Sequence, residues 1–236
     1  MKAINCTEIS GVSYVGGIVG QETYNTTNSS STYYSIQGAY VENCTNIVGT
    51  GSNIGGVAGY SNGTIYAAAV NKSTIKGISS VGGIAGYYVG STTQSSSYVS
   101  CQTFYIRNSL CTNSTVKTTS GNYAGGIAGT FEYGNIQYCY VGNTDISSTS
   151  YGAGGLIGYL KNAKTQSMQY ISKVMNNYIA NTNGTTKVSA NDQVGGLIGK
   201  MDRVIEADST KNTDNYEDTY LEDVYGSNLI VTNIAA

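Results

Sequence analysis

The sequence predicts an all-β chain that folds as a parallel β-helix (a β-solenoid) of about six main coils, with loop insertions in alternate coils. Three observations support this prediction. A glycine-rich phrase recurs six times in 236 residues, short strand-forming segments follow each copy, and Gly, Asn and Ser mark the boundaries between them. A recurring unit of this kind is the sequence signature of stacked supersecondary elements.

The recurring phrase contains two adjacent glycines, two apolar residues and a third glycine. Its copies are VGGIVG at 15–20, IGGVAG at 54–59, VGGIAG at 81–86, AGGIAG at 124–129, AGGLIG at 153–158 and VGGLIG at 194–199. Each Gly in a strand costs about 0.5–1 kcal/mol relative to Ala, so its repetition indicates close approach of another backbone segment or a sharp bend. Within one strand the two apolar residues would face opposite sides, and one would line the core. The glycines assigned this structural role are Gly16, Gly17, Gly55, Gly56, Gly82, Gly83, Gly125, Gly126, Gly154, Gly155, Gly195 and Gly196.

The spacing between successive phrases alternates between long and short. In the long units a Ser/Thr/Gln-rich segment begins at the same offset after the first glycine, at 27–31, 93–97 and 165–169. In the short units an apolar strand phrase takes that place, with Ile65, Ile136 and Ile205. The sequence therefore predicts three loops projecting from one edge of alternate coils, and a short sixth unit.

Two further short strands are predicted in each unit. The second includes 3–6, 40–44, 65–69 and 136–139, and the third includes 73–75, 114–116 and 144–146. Three short strands per turn, separated by Gly, Asn and Ser corners, describe one coil of a parallel β-helix. Equivalent residues of adjacent coils would stack at about 4.7–4.9 Å.

The phrase Gly-Gly-[Ile/Leu/Val]-X-Gly, followed by a Gly/Asn corner and a strand that ends in Asn-Cys or Tyr-Cys, resembles the GLUG repeat family. The resemblance covers roughly residues 3 to 205. It implies a right-handed β-solenoid of the kind found in large bacterial surface proteins, including adhesins and the non-catalytic trunk of immunoglobulin A1 metallopeptidases. It carries no catalytic residues. We accordingly expect GLUG-like β-solenoid repeats over 1–206 and an acidic C-terminal cap or linker over 207–236.

Composition argues against several classes of function. Charged residues make up 11% of the chain and the formal net charge is −2, whereas phosphate binding needs clustered Lys and Arg. There is no His, which removes the commonest general base and metal ligand, and no apolar run approaches the about 18–20 residues of a membrane span. We expect a non-enzyme without cofactor, nucleic-acid partner or membrane insertion, located outside the cell or on its surface within a longer chain.

The five cysteines are interpreted as small core residues: Cys6, Cys44, Cys101, Cys111 and Cys139. All except Cys101 end a second strand, so stacked coils would place four of them in or near one interior ladder. The stacking distance lies within the allowed Cα range of a disulfide, but aligned parallel side chains rarely meet its torsion requirement. A zinc site is disfavoured because the chain has neither a CxxC pair nor His.

The acidic residues are concentrated near the C-terminus, where nine of the fourteen follow position 190. A calcium site is one interpretation. The best EF-hand-like frame begins at Asp208, but it has Thr213 in place of the required Gly and Thr219 in place of the bidentate Glu. A solvated cap or linker is favoured, because repeat arrays need a polar terminus.

Tyrosines supply the candidate ligand-contact residues. Tyr33, Tyr98 and Tyr170 follow the three polar insertions at nearly equal offsets, and Tyr87 and Tyr159 follow the glycine phrase. One interpretation is aromatic stacking that covers the coil corners. The other is a binding face for a host or cell-surface glycan or protein, since Tyr offers rigid area and a hydroxyl at low entropic cost.

These observations favour a non-catalytic repeat module of a secreted or cell-surface bacterial protein, acting as an adhesin or stalk that binds host glycans or glycoproteins. The alternative is the substrate-recognition trunk of a secreted metallopeptidase whose catalytic domain lies outside these residues. An HExxH motif elsewhere in the full-length protein would favour the metallopeptidase, and a cell-wall anchor would favour the adhesin.

Overall fold

Each turn of the chain adds parallel strands to the same set of sheets. The computed structural model describes residues 1–23, 34–90, 104–161, 164–165, 168–169, 172–181, 184–202, 220–226 and 229–233. None of these residues belongs to a helix, so none lies in a helix able to cross a membrane. Because the sheets are parallel and stacked in register, the predicted parallel β-solenoid is confirmed.

Sheet A has two arms that are joined by two longer strands near the C-terminus. The first arm contains β5 (Tyr34–Gln37), β10 (Thr64–Tyr66), β15 (Tyr105–Arg107) and β20 (Gly134–Gln137). The second arm contains β1 (Lys2–Ile4), β6 (Tyr40–Glu42), β11 (Ala69–Asn71), β16 (Leu110–Thr112) and β21 (Tyr140–Gly142). The joining strands are β27 (Ser172–Ile179) and β31 (Tyr220–Gly226).

Sheets B, C and D complete each turn. Sheet B contains β2 (Ile9–Gly11), β7 (Ile47–Gly49), β12 (Thr74–Gly77), β17 (Thr115–Thr118), β22 (Asp145–Ser147), β28 (Thr186–Ala190) and β32 (Leu229–Asn233). Sheet C contains β3 (Val15–Gly16), β8 (Ser52–Gly55), β13 (Ser79–Gly82), β18 (Ala124–Gly125), β23 (Tyr151–Gly154) and β29 (Asp192–Gly195). Sheet D contains β4 (Val19–Glu22), β9 (Ala58–Ser61), β14 (Ala85–Val89), β19 (Ala128–Glu132), β24 (Ile157–Lys161) and β30 (Ile198–Met201).

The complete coils have five strands, so the prediction of three strands per turn is wrong. Coil 1 is β1–β4, and coils 2 to 5 are β5–β9, β10–β14, β15–β19 and β20–β24. In coil 6, β27 serves both arms of sheet A and is followed by β28–β30. The extra strands arise because corners divide segments that the sequence presents as single strands, so that the strands of coils 1 to 5 are only two to five residues long.

The C-terminal segment adds strands to the solenoid. β31 pairs with β27, and β32 pairs with β28, both in parallel. Two strands of the expected cap or linker therefore extend sheets A and B by part of a seventh coil. The calcium frame considered at 208–219 lies outside the described residues.

The insertions all leave the coil between sheet D and the first arm of sheet A. β4 and β5 flank the first insertion. β4 ends coil 1 and pairs with β9 of coil 2, whereas β5 begins coil 2 and pairs with β10 of coil 3. Because the strands on either side of the insertion belong to successive coils, the long units are single coils. Segments 27–31 and 93–97 lie outside the described residues, whereas 165–169 overlaps an antiparallel hairpin of β25 (Lys164–Thr165) and β26 (Met168–Gln169). The prediction of a short sixth unit is wrong: the next strand on that arm begins at Tyr220, and Ile205 lies outside the described residues.

Left-handed residues form three aligned corner columns. The corner between the arms of sheet A has Gly38, Ala67, Asn108, Tyr138 and Asn176 at positive φ, and the corner into sheet B has Asn5, Asn43, Lys72, Asn113 and Asn143. The third column enters sheet C and contains Tyr14, Asn53, Ser80, Tyr123, Gly152 and Gln193. Asn tolerates this conformation better than most residues, which explains its frequency at the corners.

Buried polar side chains join the coils beside two of these corners. Ser114 Oγ donates to its own strand at Thr112 O (2.6 Å) and accepts from Ser73 N in the coil before (3.1 Å). Cys44 N donates in turn to Ser73 Oγ (3.2 Å), so this ladder continues toward coil 1. These hydroxyls satisfy backbone groups that the left-handed corner removes from the sheet.

The core consists of apolar columns that run along the axis. One column in sheet B contains Ile47, Ile75, Val116, Ile146 and Val188, all essentially without solvent exposure. Another, in sheet D, places Tyr88 on Phe131 with ring centroids 4.9 Å apart and planes at 5°. In-register stacking of equivalent positions thus gives each buried side chain a similar neighbour above and below.

Candidate functional site: a tyrosine face beside the glycine phrases

The glycine phrase is a bend between two strands, and not one strand as predicted. In coil 3, β13 ends at Gly82 and β14 begins at Ala85, so Gly83 and Ile84 form the bend. Both apolar residues of the phrase are buried in coils 2 to 5, because the bend breaks the alternation expected along one strand. The phrase therefore brings sheets C and D together.

In coils 2 to 5, a Cβ on any of the three glycines of the phrase would lie within 3 Å of backbone atoms. A Cβ on Gly83 would overlap the carbonyl oxygen of Gly126 in the next coil. A Cβ on Gly82 would overlap Ala85 O in its own coil and lie 2.7 Å from Gly129 N in the next. A Cβ on Gly129 would in turn overlap the backbone of Ser80 in the previous coil. Sheets C and D are therefore packed backbone to backbone, with no room for side chains between them.

A tyrosine column follows the bend on sheet D. The register aligns Tyr60 with Tyr87, Tyr87 with Thr130, and Thr130 with Tyr159. The Tyr60 and Tyr87 rings are stacked, with centroids 6.0 Å apart and planes at 22°. Two of the predicted ligand-contact residues, Tyr87 and Tyr159, thus share one column, two coils apart.

The left-handed column of sheet C adds aromatic rings to this surface. Tyr14 meets Tyr60 edge to face with centroids 6.1 Å apart, and Tyr123 stacks on Tyr159 at 4.6 Å. Tyr123 also meets Tyr151 edge to face at 5.9 Å. We call the whole set the tyrosine face: Tyr14, Tyr60, Tyr87, Tyr123, Tyr151 and Tyr159.

Gly152 leaves the space that Tyr123 fills. Gly152 occupies the same left-handed column one coil later, with φ +79°, and a Cβ there would overlap the Tyr123 ring. In coil 3 the same column carries Ser80, whose hydroxyl lies 2.8 Å from that of Thr130. The column thus carries smaller residues at Ser80 and Gly152, on either side of Tyr123.

Two carboxylates bind the tyrosine hydroxyls. Tyr87 Oη donates a hydrogen bond to Glu132 Oε2, which also accepts one from Lys161 Nζ at 3.0 Å. Tyr159 Oη donates to Asp202 Oδ2. Lys200 Nζ lies 4.5 Å from the centre of the Tyr159 ring and 3.8 Å from Asp202 Oδ1. These charge-assisted bonds link adjacent coils across the face.

The contacts fix the protonation states on the face. Burial raises the pKa of Tyr87, and the hydrogen bond to Glu132 raises it further, while burial and Asp202 act in the same way on the pKa of Tyr159. Burial alone would raise the pKa of Glu132, but hydrogen bonds from Tyr87, Tyr133 and Lys161 outweigh it and hold that pKa below its ordinary value. At neutral pH the phenols of Tyr87 and Tyr159 are therefore protonated and the Glu132 carboxyl group is ionised.

The tyrosine face offers the surfaces of its aromatic rings to a ligand. The phenol protons of Tyr87 and Tyr159 are donated to carboxylates, so ring faces and hydroxyl lone pairs remain for contact. Tyr14 and Tyr151 have exposed fractions of 44% and 37%, the largest on the face. Such rings bind by stacking and by apolar contact.

Three predicted contact residues, Tyr33, Tyr98 and Tyr170, lie outside the described residues. The structure adds Tyr14, Tyr123 and Tyr151, which sequence reasoning missed. A signal for two of them was present, because Tyr14 and Tyr123 directly precede the apolar residue that begins a glycine phrase. Nothing in the sequence shows that this position is left-handed and directed at sheet D.

The cysteines do not form the single ladder predicted. Cys44, Cys111 and Cys139 are buried and Cys6 is half-buried, all as free thiols, whereas Cys101 lies outside the described residues. Cys111 belongs to the apolar column of Val70 and Val141 in the second arm of sheet A. The other three each directly follow a left-handed corner residue, namely Asn5, Asn43 and Tyr138. Cys44 stacks with Ser73, and Cys139 stacks with Ser109. Burial raises the pKa of Cys111 and of Cys139 to about 12.

The described part of the chain contains no group of three or more His, Cys, Asp or Glu arranged to hold a metal ion.

Comparisons with protein-family models, with curated proteins and with solved structures found no match. The contacts of the tyrosine face are therefore the observations on which a functional proposal can rest.

Proposed function

We propose that this chain is a non-catalytic solenoid module of a secreted or cell-surface bacterial protein, acting as an adhesin or stalk. The observation that carries the proposal is the continuous register: sheets B, C and D pair in parallel from coil 1 to coil 6. An array in which every coil is hydrogen-bonded to the next resists local bending and presents side-chain columns as an extended surface. That is the requirement for holding a binding surface away from its anchor.

Membership of the GLUG repeat family is part of the proposal. It is supported by the six phrases and by the contacts that explain their glycines, since each phrase brings the backbones of neighbouring coils together. A repeat selected for this contact needs glycine at fixed positions and leaves the remaining surface free to vary.

The tyrosine face is the proposed contact surface for a host or cell-surface glycan or glycoprotein. Its rings are held by stacking and by carboxylates, so a ligand would order few side chains on binding. Sugar rings present C–H faces that pack against aromatic rings, and the lone pairs of the tyrosine hydroxyls can accept sugar hydroxyl protons.

A glycan and host-glycoprotein binding screen tests this function. The double variant Tyr14→Ala with Tyr151→Ala removes the two most exposed rings of the face, and we expect it to reduce binding at least tenfold. Tyr138→Ala is the matched control, because Tyr138 is 47% exposed but lies at the corner between the arms of sheet A. Equal loss in both variants, or no binding by the unmodified protein, would contradict the adhesin role.

A further inference from the structure

Cys6 and Cys44 occupy the same position in coils 1 and 2. β1 pairs with β6 so that Ile4 lies beside Glu42, and the register continues beyond both strands. Asn5 N donates to Glu42 O at 2.9 Å, and Thr45 N donates to Cys6 O at 3.0 Å. The cysteines are thus directly stacked at the strand spacing of about 4.8 Å, inside the Cα range that a disulfide allows.

Both thiols are directed to the same side of the coil. Cys6 Sγ lies 3.9 Å from Ile4 O, and Cys44 Sγ lies 3.6 Å from Glu42 O. Cys44 Sγ also lies 3.6 Å from Ala3 O, a carbonyl of coil 1. The sulfur of Cys44 therefore reaches between the coils, toward the one that carries Cys6.

The partial exposure of Cys6 supplies the freedom that a disulfide torsion needs. Cys44 is fully buried, with Ser73 of coil 3 bonded on its other side. Cys6 is only half-buried, and β1 is the edge strand of its arm in sheet A. Rotation of the Cys6 side chain can therefore bring the Cβ–S–S–Cβ torsion toward 90° without moving coil 2.

We propose that Cys6 and Cys44 form an intercoil disulfide by exchange with a low-molecular-weight disulfide such as glutathione disulfide. The accessible Cys6 thiolate attacks one sulfur of glutathione disulfide, which forms a mixed disulfide and releases one glutathione thiolate. The Cys44 thiolate then attacks Cys6 Sγ and releases the second. The two cysteines are oxidised, the glutathione disulfide is reduced to two thiols, and the two cysteine protons are transferred to the released thiolates.

The other described cysteines have no thiol stacked on them. Cys111 lies between Val70 and Val141. Cys139 donates its backbone N–H to Asn177 Oδ1 of coil 6, and Ser109 holds the equivalent place in coil 4. The proposed bond is therefore specific to coils 1 and 2, which it links covalently across the first insertion.

Peptide mapping tests the bond in the full chain carrying Cys101→Ser, which removes the cysteine outside the described residues. The protein is incubated with glutathione disulfide, acid-quenched, and digested without reductant by two proteases, one that cleaves after glutamate and one that cleaves after lysine. Glu8, Glu22 and Glu42 then separate Cys6 from Cys44, and Lys72 separates Cys44 from Cys111. We expect two of the four thiols to be lost, the peptides of Cys6 and Cys44 to be linked until reduction, and the melting temperature to rise.

Cys44→Ser supplies the matched control. Serine occupies the equivalent position in coils 3 and 4, at Ser73 and Ser114, so this variant keeps the fold. Without the second thiol, Cys6 should retain glutathione as a stable mixed disulfide. Four unreacted thiols, a stable glutathione adduct on Cys6 when Cys44 is present, or a bond to Cys111 or Cys139 would overturn the proposal. None of these outcomes depends on whether the protein binds glycans.

Discussion

Gly126 lies against Gly155 of the next coil so closely that a Cβ on Gly126 would overlap the Gly155 carbonyl oxygen. The same Cβ would lie 2.8 Å from Cγ2 of Val141, a buried core side chain. Steric exclusion between two backbones therefore explains the second glycine of this phrase. The equivalent glycines of coils 1, 2, 3 and 5 have the same relationship to their neighbours.

Gly126→Val is expected to lower the free energy of unfolding by about 3 kcal/mol or more, because two coils must separate to admit the side chain. Urea denaturation followed by far-ultraviolet circular dichroism measures the change. Gly38→Ala is the control: a Cβ there meets nothing within 4 Å, so only its left-handed φ of +62° opposes the substitution. That cost should be about 1–2 kcal/mol, and equal losses in the two variants would exclude backbone contact as the cause.

Ala67→Asn is expected to stabilise the protein by about 0.5–1 kcal/mol. Ala67 is an exposed residue with φ +53°, in the corner column where coil 4 carries Asn108. Asn tolerates the left-handed region better than Ala, so the substitution relieves strain without entering the core. Thermal denaturation measures the gain, and Ala69→Asn, in the adjacent strand β11, should instead destabilise. A lower melting temperature for Ala67→Asn would contradict this account.

The repeat and the place of the insertions could be predicted from the sequence, because both depend on patterns several residues long. The five-strand coil could not. Its corners depend on single residues in the left-handed conformation, and Ala67, Lys72 and Tyr138 occupy such corners although their side chains do not favour them. Only the parallel neighbours above and below impose that conformation, and this information is absent from the local sequence.

The tyrosine face was predicted in part. Tyr87 and Tyr159 could be identified because they follow the glycine phrase at a fixed offset. Their carboxylate partners could not, since Glu132 and Asp202 come from the next coil, and the spacing between coils changes with each insertion. The pairing becomes visible only once the register of sheet D is known.

Ser114→Ala is expected to cost about 1–3 kcal/mol, because it leaves the buried Ser73 N–H without its acceptor, whereas Thr112 C=O keeps its hydrogen bond from Lys72 N–H. Ser114→Cys should cost less, since Cys44 holds the equivalent position in coil 2 and directs its thiol at Glu42 O. Chemical denaturation of both variants measures the difference. Ser147→Ala, on the outer side of sheet B, is the control and should change stability by less than about 0.5 kcal/mol. Equal losses at positions 114 and 147 would contradict the ladder.

Tyr87→Phe is expected to weaken the alkaline loss of stability. Burial and Glu132 raise the pKa of Tyr87 above its ordinary value of 10.0. Because its pKa is raised on folding, the Tyr87 phenol makes a contribution to the free energy of unfolding that is complete below the unfolded-state pKa. This contribution is lost as the pH rises above that value. Denaturation midpoints between pH 8 and about 11 should therefore fall less steeply in the variant than in the unmodified protein. Parallel curves would show that Tyr87 does not titrate differently on folding.

Glu132→Gln is expected to remove part of the acid loss of stability. The pKa of Glu132 is held below its ordinary value of 4.5 by Tyr87, Tyr133 and Lys161, which outweigh burial. Because its pKa is lowered on folding, the Glu132 carboxylate makes a contribution to the free energy of unfolding that is complete above the unfolded-state pKa. This contribution disappears as the pH falls through the folded-state pKa. The unmodified protein should therefore be the more stable of the two at neutral pH, and the difference should shrink below about pH 4.

Glu8→Gln, at an exposed carboxylate of coil 1, is the control and should leave the acid loss of stability in place. A difference between Glu132→Gln and the unmodified protein that stayed constant down to acid pH would mean that the carboxylate acts through shape and not through its charge.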